Sequence, residues 1–349
     1  MGSSAYYGNM ILKESILYRK LDKQIIQCQT CAHYCAIKPD ERGFCGVREN
    51  QNGKLYVLNY GKIIALNIDP IEKKPLFHFL PGSQSLSLAS AGCNLACANC
   101  QNWEISQGPR LYKKIEGNDI EPAEIIKIAQ ENNLSSISYT YTEPTIFLEY
   151  ALEVMKLAKE AKIKNVWVSN GFMSPESVKL VIPYLAANNI DLKSFSDDFY
   201  RQSCAARLAP LLETLKLMKR GGVWLEITTL VIPTLTDTEE NFKQIAKFIY
   251  DQLGAETPWH ISRFSGAISW KLNNLPDTPI ETLELAYKIG RETGLKYIYA
   301  GNAPELNLEN THCPKCNNIL IRRIGYEIFC FDKNGKCPRC NTKADLILS

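Results

Sequence analysis

Cys93, Cys97 and Cys100 lie in the run Ala91-Gly92-Cys93-Asn94-Leu95-Ala96-Cys97-Ala98-Asn99-Cys100-Gln101-Asn102, a C-x3-C-x2-C spacing with no fourth cysteine close behind. A four-iron cubane normally takes one protein thiolate at each iron. Three thiolates fill three irons and leave one open, and an open coordination position separates a catalytic metal site from a closed structural one. A zinc knuckle is the competing reading, with Cys45 or Cys204 as a distant fourth ligand. The flanks favour the cluster. Gly92 permits close backbone approach, and the apolar, β-prone run Leu86-Ser87-Leu88-Ala89-Ser90 leads straight in, so the loop hangs from a strand end.

Such a loop needs a scaffold, and the sequence downstream supplies one. Strands are predicted at Ser85–Ser90, Ser136–Tyr141, Val166–Ser169, Ile190–Lys193, Val223–Ile232, Trp259–Phe264 and Lys296–Ala300. Helical patterns alternate with them at Pro122–Glu131, Ile146–Ala161, Pro175–Ala186, Leu208–Arg220, Thr238–Leu253 and Thr278–Thr293. Strand–helix alternation with short loops gives βαβ units and a parallel sheet. Six or seven units suit a full or partial (β/α) barrel, whose chemistry belongs at the carboxyl ends of the strands.

Several polar residues fall at those ends. Tyr139-Thr140-Tyr141-Thr142-Glu143-Pro144 follows the second strand, with Glu143 left at its lip by Pro144. Ser169-Asn170-Gly171 follows the third. Asp191 and Lys193 share one face of the fourth at period two. His260, Ser262 and Phe264 share a face of the sixth, with Arg263 on the other. Each has a plain structural alternative: a Glu-Pro turn, an Asp191–Lys193 ion pair, a satisfied core histidine at 260. Together with an open cluster they form a ring of charge around one barrel mouth.

On these residues the chain resembles the radical S-adenosylmethionine (SAM) superfamily. Within it, the chain resembles the radical SAM enzyme of the AmmeMemoRadiSam system, which is similar to pyruvate formate-lyase-activating enzyme. The resemblance runs from about Cys28 to Cys340. It is carried by Asp69-Pro70-Ile71-Glu72-Lys73-Lys74-Pro75-Leu76-Phe77-His78-Phe79-Leu80-Pro81-Gly82, the cluster loop through Gln107, Tyr139–Thr145, Ser169-Asn170-Gly171, Asp191-Leu192-Lys193, Pro258–Phe264, Tyr299-Ala300-Gly301-Asn302 and the C-terminal C-P-x-C pairs. It implies a [4Fe–4S] cluster on Cys93, Cys97 and Cys100 whose open iron is chelated by SAM, and reductive cleavage of SAM to a 5′-deoxyadenosyl radical. Glu143 would hold the SAM ammonium. Thr142, Ser169, Asn170, Asp191, Lys193 and His260 would contact SAM or position the substrate, with His260 in a catalytic role. A reducing partner such as flavodoxin or ferredoxin is implied, and a substrate that includes proteins among its candidates. Two departures stand out. Arg263-Phe264-Ser265-Gly266-Ala267 replaces a His-Pro-Asp-like continuation, and Glu226 stands where activases carry a basic residue. The ferredoxin-like insert of some activases is missing after Cys100.

The remaining cysteines fall into two groups, apart from a solitary Cys204. Cys313-Pro314-Lys315-Cys316 and Cys337-Pro338-Arg339-Cys340 flank a hairpin-like stretch, the pattern of a four-thiolate zinc ribbon, with a rubredoxin-like iron as its rival. Cys330 then reads as a spare buried thiol and His312 as a flank. Arg322, Arg323, Lys333, Lys336 and Arg339 read as a solvated basic face. Cys28, Cys31, Cys35 and Cys45, spaced C-x2-C-x3-C-x9-C, fit zinc or an auxiliary iron–sulfur cluster. Zinc is the preferred reading, as a staple for a segment with little core of its own. The expected division is a Cys-rich segment over 1–82, the barrel over 83–305 and a zinc-ribbon-like domain over 306–349.

Composition sets the outer limits. The chain has 349 residues, 45% hydrophobic and 22% charged, with a net charge of +3. That is ordinary for a globular α/β protein and too weakly basic to argue for nucleic acid or a membrane surface. No apolar run reaches membrane-span length and no signal-peptide h-region is present. The leading Met1-Gly2-Ser3-Ser4 is open to two readings, an added scar with Met10 the native start, or the native start itself. Thirteen cysteines clustered at metal-ligand spacings, with no export signal, point to a reducing cytoplasm. Two further functions compete with hydrogen abstraction from an unidentified substrate: glycyl-radical activation of a partner protein, and a zinc-rich adaptor that contacts RNA or protein.

Overall fold

The computed structural model describes residues 12–332 and 334–348. Met1 to Ser4, Met10 and Lys333 lie outside them. A nine-stranded sheet carries the fold: β1 (Lys62–Pro70), β2 (Gln84–Ser90), β3 (Asn118–Asp119), β4 (Ser136–Tyr139), β5 (Lys164–Ser169), β6 (Leu185–Asp191), β7 (Trp224–Val231), β8 (Trp259–Arg263) and β9 (Ile298–Gly301). Its order is β9-β8-β7-β6-β5-β4-β2-β1-β3. From β2 through β4 to β9 every neighbour is parallel. β1 runs antiparallel to β2, and β3 antiparallel to β1. No ladder joins β9 to the far edge among the described residues, so the barrel is partial.

Among the described residues, α-helices of seven residues or more connect these strands: α1 (Trp103–Tyr112), α2 (Pro122–Glu131), α3 (Leu148–Glu160), α4 (Pro175–Val181), α5 (Leu208–Arg220), α6 (Glu239–Phe248) and α7 (Ile280–Thr293). They pack because one stripe of each is apolar. α3 buries Leu148, Ala151, Leu152, Met155 and Ala158, the three-and-four spacing of one helix face. Each leucine or methionine of this stripe contributes about 1.5–3 kcal/mol when fully buried. Ser174 caps α4 by accepting from the Ser177 amide, with Pro175 at the first helical position. The helix expected to reach Ala186 stops at Val181, and β6 begins at Leu185 rather than Ile190. Pro183 explains both, since it has no N–H to donate and its ring clashes with the preceding turn. The strand expected to reach Tyr141 stops at Tyr139, and Tyr141 takes a φ of 63°.

The segment between β1 and β2 turns back into the barrel. Asn189 Nδ2 donates to the Pro75 carbonyl at 2.8 Å, and the Glu226 carboxylate accepts from the amides of Phe77 and His78 at 2.9 and 2.8 Å. Ile71, Leu76, Phe79 and Leu80 pack there with Val166 of β5 and Ala187 of β6. The inner half of the barrel is therefore filled by its own chain. Lys62–Pro70, on the N-terminal side of the boundary expected at residue 82, belongs to the main sheet.

Small sheets flank the barrel. Lys13–Glu14, Lys54–Val57 and Arg48–Gln51 form one; Tyr18–Lys20, Ile26–Cys28 and Ala36–Ile37 form another. Arg48 anchors them to α3 through a bidentate pair with Glu149, at 2.7 and 2.9 Å, both side chains almost fully buried. At the C-terminus, Thr311–His312, Ile319–Ile324 and Glu327–Cys330 form a three-stranded antiparallel sheet, the expected hairpin included. It docks on the inward segment. Arg323 donates to the Phe77 carbonyl at 2.7 Å, and the amides of Leu80 and Ile347 bond the carbonyls of Ile347 and His78. Arg323 is thus a buried anchor and not part of a solvated basic face. Cys330 is exposed on the edge strand, not buried. No described helix is long and apolar enough to cross a membrane.

Candidate active site at the barrel mouth

The cluster loop begins two residues beyond β2. Gly92 has a φ of +113°, and a Cβ there would lie 2.8 Å from Val47 Cγ1, so the turn into Cys93 needs glycine. The Cys93 sulfur accepts from the Leu95 amide at 3.3 Å and faces Asn170 Nδ2 at 3.7 Å. The Cys100 sulfur lies 3.3 Å from the Ser106 hydroxyl on α1. The amides of Ala96 and Ala98 donate to the carbonyls of Cys204 and Ser203. Cys204, solitary in sequence, therefore sits against Cys97. The hydrogen bond from its thiol holds Cys97 below the ordinary thiol range despite burial, and Lys193 adds to this.

Glu143 ends the β4 loop and is fully buried. One carboxylate oxygen accepts from the Thr145 amide and hydroxyl at 3.0 and 2.6 Å and from the Ser169 hydroxyl at 2.9 Å; the other accepts from the Asn170 amide at 2.8 Å. Burial pushes the carboxyl up, against the pull of these donors. Thr142 is tied to β2 through the Ser90 carbonyl at 2.7 Å. Asn170 Nδ2 reaches Asn94 Oδ1 at 2.8 Å, joining the β5 loop to the cluster loop. Asp191 and Lys193 do form an ion pair, at 2.6 Å, and both still face the mouth.

His260 is held from behind: its Nε2 lies 2.7 Å from Glu226, and Phe77 and Tyr299 flank its ring. Glu226 also accepts from the Phe77 and His78 amides and from Trp224 Nε1 at 3.1 Å. Burial opposes its charge, but the His260 hydrogen bond and the neighbouring imidazoles hold the carboxyl below its ordinary range.

Cys93, Cys97, Cys100, Thr142, Glu143, Ser169, Asn170, Asp191, Lys193 and His260 all line one cavity of about 690 Å³, within the size range of small-molecule sites. The reading of His260 as a satisfied buried histidine and as a mouth residue are both correct. The same cavity is lined by side chains to which no role was assigned from sequence. Lys74, almost fully buried, pairs with Asp69 at 2.7 Å, and Tyr326 reaches in from the C-terminal hairpin. The signal for Lys74 was a double lysine inside an otherwise apolar motif; Tyr326 carried none.

The three mouth thiols do not gather round a point. Among the described residues, Cys313, Cys316, Cys337 and Cys340 form the only group of three or more possible ligands whose donor atoms lie within 4.8 Å of one another. There the sulfurs pair at 3.6 and 3.5 Å, close to the roughly 3.8 Å that a tetrahedron of Zn–S bonds near 2.3 Å gives. The mouth thiols suit a larger inorganic core than a single ion, and the amide and hydroxyl donors beside their sulfurs suit a cluster.

The comparisons agree with this geometry. The profile of the Radical SAM superfamily matches residues 88–249. The uncharacterised protein MJ0808 of Methanocaldococcus jannaschii is 45% identical over 340 residues, covering 97% of this chain and 100% of the relative. The chain is also similar to the pyruvate formate-lyase-activating enzyme of Clostridium pasteurianum, 23% identical over 164 residues, 45% of this chain and 66% of that enzyme. A crystal structure of Streptococcus suis SuiB bound to precursor peptide SuiA aligns with a TM-score of 0.49 and 16% identity, over 68% of this chain and 53% of that one. The chain belongs to the radical SAM superfamily, whose enzymes carry a [4Fe–4S] cluster, bind SAM and catalyse radical reactions. Its architecture is a partial (β/α) barrel of that type, with an N-terminal Cys-rich segment and a C-terminal zinc-ribbon-like domain.

Proposed function

We propose that this protein cleaves SAM reductively at the barrel mouth and abstracts hydrogen from a substrate held in the same cavity. The observation that carries the reading is the meeting of three separated thiols and the strand-end polar ring in one cavity. Cys93, Cys97 and Cys100 would hold the [4Fe–4S] cluster. A cluster held there would supply the single electron that reductive cleavage of SAM to methionine and a 5′-deoxyadenosyl radical requires. The chain's own residues bind and orient. Glu143 faces the ammonium with a carboxylate fixed by four donor groups. Ser169 and Asn170 are held in place by that carboxylate, and Thr142 by the end of β2. Asp191 and Lys193 present one charge of each sign to a zwitterion. His260, oriented by Glu226, lies toward the substrate end. The filled inner barrel excludes water from below.

These roles fall to the barrel, which takes in Lys62–Pro70 from the segment expected to end at residue 82, with zinc proposed for the C-terminal quartet. A flavodoxin or ferredoxin in a reducing cytoplasm is the natural donor for a cluster of this kind. Similarity to pyruvate formate-lyase-activating enzyme supports a second reading, glycyl-radical activation of a partner protein. The test is anaerobic reconstitution, reduction with dithionite and addition of SAM, read by mass spectrometry of 5′-deoxyadenosine. Production by the wild type and its loss in Cys93→Ala/Cys97→Ala/Cys100→Ala is the expected result. Equal production by that variant would refute the assignment. A glycyl radical signal on a co-incubated partner would decide for the second reading.

A further inference from the structure

Cys28, Cys31, Cys35 and Cys45 line one small pocket that leaves about 10 Å³ between its side chains, at least a water-sized gap. Cys28, Cys31 and Cys45 are buried and Cys35 is half-buried. Four zinc ligands would stand about 2.3 Å from a shared centre, and sulfurs so gathered leave no room for a water-sized sphere between them. The C-terminal quartet shows that closed arrangement; these four do not reach it, and no three of them bring their sulfurs within 4.8 Å of one another. A cubane sets its irons off the centre and spaces its thiolates more widely. A second observation is independent of the sulfurs. Arg48 lines the same space with its Nε buried and without a hydrogen-bond partner, while its other nitrogens are engaged by Glu149, Ser15 and Ile146. A buried N–H without an acceptor is costly, and a cluster sulfide or thiolate beside it is an acceptor.

We infer that Cys28, Cys31, Cys35 and Cys45 hold a second iron–sulfur cluster, a cubane with a thiolate on every iron, and not zinc. With no open iron it takes no SAM. It shares a wall with the mouth. His33, between Cys31 and Cys35, bonds the Asn94 carbonyl at 2.7 Å, and the Cys45 carbonyl lies 3.5 Å from the Cβ position of Gly92, one residue before Cys93. The inference goes beyond the SAM reading and stands apart from it, because it is measured with the mouth cluster removed.

The experiment is metal and sulfide analysis with electron paramagnetic resonance on the full chain, reconstituted anaerobically with iron and sulfide. The wild type should hold about eight irons in two cubanes. Cys93→Ala/Cys97→Ala/Cys100→Ala should keep half of that iron, with equal sulfide and a reduced-state signal that SAM leaves unchanged. Cys28→Ser/Cys31→Ser should lose half and keep the SAM-responsive signal. If the second variant does not fold, the wild-type count and the triple variant still decide. A triple variant with no iron and a second equivalent of zinc would overturn the inference, as would a single iron without sulfide. Loss of SAM response from a wild type holding two clusters would instead strike the mouth assignment.

Discussion

Replacing Glu143 by glutamine separates two jobs that the structure gives one carboxylate. The shape is kept, the charge is lost, and one acceptor becomes a donor. Whichever way the amide is turned, its NH2 faces a main-chain N–H, that of Thr145 or that of Asn170. One buried amide is left without its acceptor, which costs about 1–3 kcal/mol of stability. The Ser169 and Thr145 hydroxyls can rotate to suit the new group and add little. Loss of a charge-assisted contact to the SAM ammonium costs about 1.5–3 kcal/mol, so SAM affinity should fall about ten- to a hundredfold. Chemical denaturation reads the first effect and equilibrium binding of SAM to the anaerobic protein reads the second. The iron content should be unchanged, because no iron ligand is touched. Burial raises the Glu143 carboxyl, so wild-type affinity should decline as pH falls through that raised value, while the glutamine variant should be flat there. A variant that is destabilised but binds and cleaves SAM as wild type would show that Glu143 only braces the loop. The strand-end ring would then not be the SAM site.

Glu226→Gln leaves at least one of its donors unmet in either orientation, the Phe77 amide where His260 changes tautomer to accept the new NH2, or the His78 amide and Trp224 Nε1 otherwise, a loss of roughly 1–5 kcal/mol. The folded carboxyl lies below its ordinary 4.5, so its contribution is present above that pH and fades as pH falls through the folded value. The gap between wild type and variant in urea titrations should therefore close toward acid. Gly92→Ala forces a side chain into a left-handed backbone against Val47, costing about 1–3 kcal/mol, and iron per chain after reconstitution should drop with it. Cys337→Ala should remove one zinc equivalent by elemental analysis and lower the melting temperature, while the SAM-responsive signal persists.

What the sequence made legible was local. Each mouth residue stands at the carboxyl end of a strand whose apolar run is plain, and barrel geometry alone then brings ten of them together. The cluster spacing needed no fold at all. What stayed hidden depended on contacts far apart in the chain. Arg323 reads as one more surface charge until its partners appear, the Phe77 carbonyl and the Thr311 hydroxyl. Cys330 reads as buried because cysteines usually are, yet it lies exposed on an edge strand. Helix periodicity ran on to Ala186 because apolar spacing carries no stop signal of its own, and Pro183 had to be weighed against it. The N-terminal thiols showed their ligand spacing but not their separation in space, and it is the separation that distinguishes one ion from a cluster.

The inward segment ties these observations into one mechanical account. Seven parallel strands that fail to close leave a cleft that apolar side chains of the strands alone do not fill. Residues 71–83 fill its inner half, and Glu226 fixes them by accepting the amides of Phe77 and His78. The same carboxylate orients His260 at the mouth. The C-terminal hairpin grips the segment from outside through Arg323 and reaches the cavity with Tyr326. Lys74, on the segment itself, lines that cavity too. Beside the barrel ends Thr228, Ser262 and Asn302, the cavity is thus walled by the plug and the ribbon, which on the proposed function places both against the substrate. Substitutions at Lys74 or Tyr326 should change what is accepted without changing uncoupled SAM cleavage, which would be read as unchanged 5′-deoxyadenosine in the absence of substrate.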